Sequence, residues 1–307
     1  MTRAVVFAYH NVGVRCLRVL LDQGVDVALV LTHEDSPTET IWYDSVAQVC
    51  ADHSIPFITP DDANASNVVA RIRALAPEFF FSFYYRKMLG ADLLGIPTRG
   101  ALNMHGSLLP KYRGRVPVNW AVLHGERETG ASLHYMEIKP DAGNLVAQTA
   151  VPILGDDTAF EVFQKVTVAA ELTLARALPQ LIAGTAPSVP LNLKAGSYFS
   201  GRKSEDGRID WTRTAAEVNN LVRAVAPPYP GAFADLGSKR IIVAKARVAA
   251  AEATSSVPVA GQIARTSNGS SGFVCGDGKL LIPLRLIVED KTLDASASQT
   301  WLATVKQ

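Results

Sequence analysis

The sequence predicts an α/β fold: an N-terminal domain built on a parallel sheet covered by helices, followed by a smaller β-rich, barrel-like domain. Three observations carry this. Through the first half, short apolar runs alternate with stretches whose leucines recur at helical spacing, the pattern of strands joined by crossover helices. A Pro-, Gly- and Ser-rich stretch at 184–207 then interrupts the alternation. Beyond it, apolar runs crowd together between Gly-rich turns, as in a small, partly open barrel. The expected organisation is a first domain over 1–190, a linker over 191–207, and a helix plus small barrel over 208–307.

The elements follow in order. "AVVFAY" (4–9) is a first strand that ends at the polar pair His10 and Asn11. "GVRCLRVLLDQG" (13–24) sets Leu17, Leu20 and Leu21 at helical spacing and stops at Gly24. "VDVALVLT" (25–32) is a second buried strand, and "DSVAQVCADHS" (44–54) a helix with Asp44 as its expected N-cap. "SNVVARIRALA" (66–76) is a third helix, followed by the apolar run "EFFFSFYY" (78–85) and the strand "GALNMH" (100–105). A helix near 117–125, strands near 130–137 and 144–150, and a long helix over 158–184 come next. Past the linker, a helix near 214–226 and "PPYPGAF" (227–233) lead into "KRIIVAKARV", "GQIART", "GFVCGDG" and "KLLIPLRLI".

Composition removes several classes. At 307 residues the chain can bury two cores, and 48% hydrophobic with 19% charged residues is not a disordered composition. A net charge of +1 sets up no field that would gather nucleic acid or an anionic membrane. Apolar runs such as "VALVLT" are too short to cross a bilayer, and "MTRAVVFAYHNVG" reads as a first strand, not a signal peptide. Cys16, Cys50 and Cys275 are odd in number and widely spaced, without a CxxC. They suit a reducing cytoplasm, packed as small hydrophobes, and neither a disulfide framework nor a zinc site.

The stretch "ALNMHGSLLPKYRGRVPVNW" (101–120) begins as a buried strand and then changes character. Asn103 and His105 end the apolar run; Gly106, Ser107 and a Leu-Leu-Pro stop follow, and Lys111, Arg113 and Arg115 make the next loop cationic. Two residues apart on a strand, Asn103 and His105 point to the same face. They fall where open α/β sheets bind ligands, beyond the carboxyl ends of the strands. The pair reads either as a pocket floor or as a turn amide and a histidine satisfied by its neighbours. No GxSxG is present, so Ser107 is not on a nucleophile elbow. HExxH and a CxxC pair are missing, which leaves no zinc motif. With only Gly13 after the first strand, a dinucleotide or nucleoside triphosphate held there is disfavoured. What remains is general acid–base chemistry beside an oxyanion-stabilising amide. Such a histidine wants an acid to orient it and raise its pKa. Asp141, in "KPDAGNLVAQ", is the candidate, in a turn that alone would read as hairpin punctuation.

"LNMHGSLLPKYRGRVPVNWAVLHGERETGASLHYMEIKPDAGNLVAQ" (102–148) resembles the 10-formyltetrahydrofolate-dependent formyltransferase family, whose members act on methionyl-tRNA, glycinamide ribonucleotide and nucleotide sugars. The Asn-x-His, the Ser-Leu-Leu-Pro after it and the Asp-Ala-Gly at 141–143 carry the resemblance in order and spacing. "IDW" (209–211) and "RAVAPPYPGAF" (223–233) extend it to the C-terminal region. It implies a Rossmann-like N-terminal formyltransferase domain with a small barrel-like domain behind it. By the same resemblance His105 would be the general acid/base, Asn103 would hold the formyl oxygen as it becomes anionic, and Asp141 would raise the pKa of His105. Contacts to the co-substrate 10-formyltetrahydrofolate would fall on Lys87, Met88, Leu89, Arg115 and the loop Glu137, Ile138, Lys139, Pro140 and Asp141, with no metal.

"VVFAYHNVG", "FSFYYRKML" and "HGSLLPKYRGR" resemble the members that formylate UDP-4-amino-4-deoxy-L-arabinose in lipid A modification and polymyxin resistance. A UDP-amino sugar is then the expected acceptor. In those members the formyltransferase is half of a bifunctional enzyme; at 307 residues no decarboxylase-type half is expected here. A tRNA-acting member would carry a basic, Gly-Lys-rich insertion after the second strand. This chain has "HEDSPTETIWYDS" (33–45) there, with four acids and no Lys or Arg. Residues 230–307 hold nine Lys/Arg against six Asp/Glu, a weak excess for a surface that must meet several phosphates. Nucleic acid is therefore disfavoured. "YFSGRKSEDGRIDW" (198–211) resembles the sugar enzymes, where Arg202 could meet a diphosphate; the alternative for Arg202 and Lys203 is solvated loop charge. A methionyl-tRNA formyltransferase and a formyltetrahydrofolate hydrolase, with water as acceptor, are the other readings. A silent folate-binding module would have lost one of Asn103, His105 and Asp141, and all three are present.

Overall fold

The computed structural model describes residues 1–37, 40–237, 239–252 and 259–305. Glu39, one of the four acids in the 33–45 loop, and Lys306, one of the nine C-terminal cations, lie outside them. The chain forms two compact units from discontinuous segments. The first is Met1–Pro117, Glu128–Pro152 and Phe163–Ser200; the second is Val118–Arg127, Ile153–Val162 and Gly201–Gln307.

In the first unit the strands and helices alternate as β1 (Arg3–Ala8), α1 (His10–Asp22), β2 (Asp26–Leu31), α2 (Val46–Asp52), β3 (Phe57–Ile58), α3 (Ser66–Ala74), β4 (Phe79–Phe83), α4 (Ala91–Leu94) and β5 (Gly100–His105). A short strand β6 (Arg113–Gly114) follows. After helix α5 (Pro117–Leu123), which from Val118 on belongs to the second unit, come β7 (Glu128–Tyr135), β8 (Leu145–Pro152), α6 (Ala159–Ala183), whose residues from Phe163 on belong to the first unit, and a second short strand, β9 (Tyr198–Phe199). The main sheet runs β3-β2-β1-β4-β5-β7-β8. Strands β1 to β5 are mutually parallel, whereas β7 pairs antiparallel with β5, and β8 with β7. The antiparallel edge departs from the all-parallel sheet expected. For β8 the cause is local: a loop of residues 136–144 is too short for a crossover, so β8 can only turn back along β7. The parallel strands read as continuous apolar runs because both faces are covered. Val5, Phe7, Leu29, Leu31 and Phe80 pack with Ile72 of α3 and Leu93 of α4 in one buried cluster.

Two local expectations are corrected. The N-cap of α2 is Ser45, whose Oγ accepts from Gln48 N–H at 3.2 Å; Asp44 instead donates its N–H to Asn11 Oδ1 at 2.7 Å. Residues 193–199 of the stretch read as linker are pinned to the first unit, with β9 pairing parallel to β6. The 25-residue α6 is long and apolar enough by length and composition to cross a bilayer, with a mean hydropathy of 1.3 over its most apolar window. Counting uninterrupted apolar runs missed this, because Glu161, Lys165, Glu171 and Arg176 break them up. Half of that window is buried inside the protein, and Glu171 receives a forked pair of bonds from Arg15 of α1 at 2.6 and 2.7 Å. The three cysteines are buried and free, as expected. Burial pushes the Cys50 and Cys275 thiols up to about 11.

In the second unit α7 (Ala215–Val225) starts from a capping box in which Thr214 and Glu217 satisfy each other's backbone N–H groups. The strands β10 (Ala232–Leu236), β11 (Lys239–Ala249), β12 (Ile263–Arg265), β13 (Ser271–Val274) and β14 (Leu280–Val288) form an antiparallel half-barrel in the order β10-β11-β14-β13-β12. A further strand, β15 (Lys291–Leu293), pairs with β14, and α8 (Ala295–Thr304), capped by Asp294, follows it. Helix α8 was not expected, because "ASASQTWLAT" carries too few apolar residues to show a period.

Candidate active site

Strand β5 buries Ala101, Leu102 and Met104 and brings Asn103 and His105 to one carboxylate. Asn103 Nδ2 lies 3.4 Å from Asp141 Oδ1, and His105 Nδ1 lies 3.5 Å from the same oxygen. The other Asp141 oxygen accepts the N–H of Gly114 at 2.8 Å. Asp141 is in the left-handed region, with φ of +49°, which turns its side chain back from the 136–144 loop under the end of β5. His105 is bonded on its far side, its Nε2 2.8 Å from the carbonyl of Tyr112. A carbonyl only accepts, so Nε2 carries hydrogen and Nδ1 is the nitrogen left to face Asp141.

The register of β5 against β7 brings in two residues that the sequence reading passed over. His134 is opposite Asn103, and Ser132 is opposite His105. His134 Nδ1 donates to the Tyr135 carbonyl at 2.7 Å, and its Nε2 sits 3.2 Å from Asn103 Nδ2 and 3.5 Å from Asp141 Oδ1. Ser132, fully buried, donates to Ser107 O at 2.5 Å and accepts from Leu109 N–H at 3.1 Å and Gln148 Nε2 at 2.8 Å. Gln148 also donates to Leu109 O at 2.9 Å. Together they lock the Ser-Leu-Leu turn after His105. The available signal was alternation, since in "GASLHY" Ser132 and His134 fall on one face of an otherwise apolar strand.

Burial opposes a charge on Asp141, yet His105, His134 and the Gly114 N–H outweigh it and hold the carboxyl below the usual carboxylate range. The centre is therefore an ionised acid, nine-tenths enclosed, facing two imidazoles and an amide. Such a group can store and move a proton, and an amide beside it can donate to oxygen that gains charge.

The other expected residues surround this centre. Leu89 is in the core cluster, and Met136, which precedes the Glu137–Asp141 loop, packs against the same cluster, so both loops root in one place. Met88 and Ile138 are exposed, at 55% and 62% of their surface. Lys87 spends its ammonium on the carbonyls of Pro60 and Asp61 and so braces its loop. Arg115 is exposed, with its N–H on Phe199 O. Arg113, by contrast, is buried, and its Nε has no acceptor among the described residues. Arg202, in the second unit, lies over the Trp120 ring at 4.8 Å, with burial pulling its pKa down, so it is packed and not a solvated loop charge. No group of three or more His, Cys, Asp or Glu with metal-binding geometry occurs among the described residues.

A ring of aromatics closes the adjacent switch point between β1 and β4. His10 and Tyr84, which follow those strands, both have left-handed backbones, φ +66° and +58°. His10 lies 3.8 Å from the Tyr43 ring and 4.7 Å from Phe163, and Tyr84 lies 5.7 Å from Phe163. A Cβ on Gly106 would come within 1.9 Å of the Tyr84 oxygen, so this ring reaches the residue after His105.

Two family models match this chain: Formyl transferase over residues 9–178, and Formyl transferase, C-terminal domain, over 202–300. The chain belongs to the formyl transferase family. Among solved structures, this formyltransferase is similar to the Helicobacter canadensis N-formyltransferase in complex with folinic acid and dTDP-3-aminofucose, at 20% identity, 92% of this chain, 99% of that one and a TM-score of 0.67. It is similar to a sugar 3N-formyltransferase solved with dTDP and 5-N-formyl-tetrahydrofolate, at 19% identity, 95% and 99% coverage and a TM-score of 0.70. It is also similar to a 4-N formyltransferase from Francisella tularensis, at 19% identity, 76% and 91% coverage and a TM-score of 0.62.

Proposed function

We propose that this formyltransferase carries the formyl group of 10-formyltetrahydrofolate to the amine of a nucleotide-linked amino sugar. The acceptor we infer is UDP-4-amino-4-deoxy-L-arabinose, formylated at its 4-amine. One observation carries the reading: Asn103, His105 and Asp141 converge at the carboxyl end of β5 in a chain of this family. Two of the similar structures were solved with a formylated folate and with dTDP or a dTDP-amino sugar. The acid-rich 33–45 loop and the aromatic wall of His10, Tyr43 and Tyr84 favour a sugar over tRNA.

The folate supplies a formyl group already activated on nitrogen. Asn103 turns one amide hydrogen from its long 3.4 Å contact with Asp141 to the formyl oxygen as the sugar amine attacks and charge grows there. His105 takes the proton that the amine must lose and returns one to the departing folate nitrogen, so no net proton is consumed. Its Nδ1 is the exchanging nitrogen, since the Nε2 contact to Tyr112 is the tighter one, 2.8 against 3.5 Å. Asp141 remains ionised and stabilises the imidazolium between the two transfers. Met88 and Ile138 offer the apolar edges, and Arg115 a cation, that a folate with its carboxylates requires.

The test is a panel of acceptors with 10-formyltetrahydrofolate, read by mass spectrometry: UDP-4-amino-4-deoxy-L-arabinose, dTDP-amino sugars, charged initiator tRNA and water alone. N-formylated sugar nucleotide is the expected product. Formylated methionyl-tRNA with no sugar product, or formate released without acceptor, would overturn it.

A further inference from the structure

Two backbone contacts to the acid–base pair come from the same short stretch, Tyr112 and Gly114. The carbonyl of Tyr112 takes His105 Nε2–H, and the N–H of Gly114 binds Asp141 Oδ2. Tyr112 has a left-handed backbone, φ +56°, and Gly114 has φ +98°. A left-handed tyrosine persists only where neighbours over-determine it. Those neighbours are residues 196–199. Tyr112 N–H donates to Ser197 Oγ at 2.9 Å, Arg113 N–H to Ser197 O at 3.0 Å, and Arg115 N–H to Phe199 O at 3.0 Å. The Ser197 N–H returns to Pro110 O at 3.3 Å, and the Phe199 ring stacks on Tyr112 at 5.4 Å. The approach is so close that a Cβ on Gly114 or Gly196 would meet a carbonyl oxygen at 2.1 Å. The edge of β6 that faces the site and the edge that faces β9 are opposite edges of one two-residue strand.

We propose that Ser197 and Phe199 are positioning residues for the reaction: the strap 196–199 sets the backbone of 112–114, and that backbone sets the hydrogen-bonded state of His105 and the place of Asp141. The strap lies about ninety residues along the chain from His105 and touches neither it nor Asp141 through a side chain in this arrangement. The proposal rests on the formyl-transfer reading for its kinetic consequences and stands apart from it in its structural ones.

Ser197→Ala removes the acceptor of the Tyr112 N–H and nothing from the site itself. In the full-length protein kcat should fall roughly ten- to a hundredfold, the scale of a catalytic group displaced by about an ångström. KM for folate and acceptor should hold within about a factor of two, and the pH profile of kcat should move, while Ser197→Thr, which keeps the hydroxyl, restores both. Independently of any activity, long-range 1H–15N NMR of the histidine rings, with the His105 signal assigned by a His105→Gln variant, should show hydrogen on Nε2 in the parent and loss of that fixed state in Ser197→Ala. Phe199→Leu, which removes the stacked ring, should give the same signature and serves if Ser197→Ala does not fold. A folded Ser197→Ala protein with the parent's kcat, pH profile and His105 spectrum would overturn the proposal. A parent that formylates none of the acceptors would defeat the functional reading alone, because the spectra still decide the role of the strap.

Discussion

Asp141 Oδ1 lies 3.5 Å from His105 Nδ1, with the two side chains only 11% and 7% exposed. A carboxylate so enclosed, held ionised by its neighbours, links the chemistry of the site to the stability of the fold.

That linkage has a sign. The folded Asp141 carboxyl lies below its ordinary value, so it adds stability above about pH 4 that is lost as the pH falls through the folded value. Asp141→Asn should cost about 1–3 kcal/mol near pH 7 and flatten the decline of stability below about pH 4. Denaturant melts of both proteins across pH 2–7 check this; parallel curves would remove Asp141 from the acid response.

Asn103→Ala should leave the fold intact and lower kcat by about a hundred- to a thousandfold, the usual loss of one oxyanion donor. Steady-state kinetics beside a circular dichroism melt decide it. A rate within a few-fold of the parent would make Asn103 a strand-end residue that only completes the contacts to His134 and Asp141.

Ser132→Ala strips a fully buried hydroxyl that answers the Leu109 N–H and Gln148. The unpaired N–H should cost about 1–3 kcal/mol, and the loosened turn should make the Leu108, Leu109 and Lys111 amides exchange faster. Unchanged exchange there would show that Gln148 holds the turn unaided.

Gly114→Ala forces a side chain onto φ +98° and against Phe199 O. Strain and overpacking together should destabilise the protein by about 2–5 kcal/mol. Equal denaturation midpoints would mean that β6 and β9 can part freely, contrary to the pairing described here.

Local rules were enough to read much of this protein from its sequence. Strands β1, β2, β4 and β5 appear as apolar runs because burial on both faces leaves few positions for polar residues. Asn103 and His105 were assigned one face from the two-residue period alone, and both do reach Asp141 Oδ1. Tertiary structure decided the rest. Nothing local in "SLHYM" says that His134 meets Asn103, since that depends on β7 running antiparallel to β5 in one register. Likewise "KAGSYFS" has the composition of a linker, and β9 exists only because β6 is there to pair with it. Periodicity and turn chemistry act between neighbours in sequence, so they are written where they act. Register, and the pairing of two-residue strands some eighty-five positions apart, are settled by which groups remain unbonded once the core has closed.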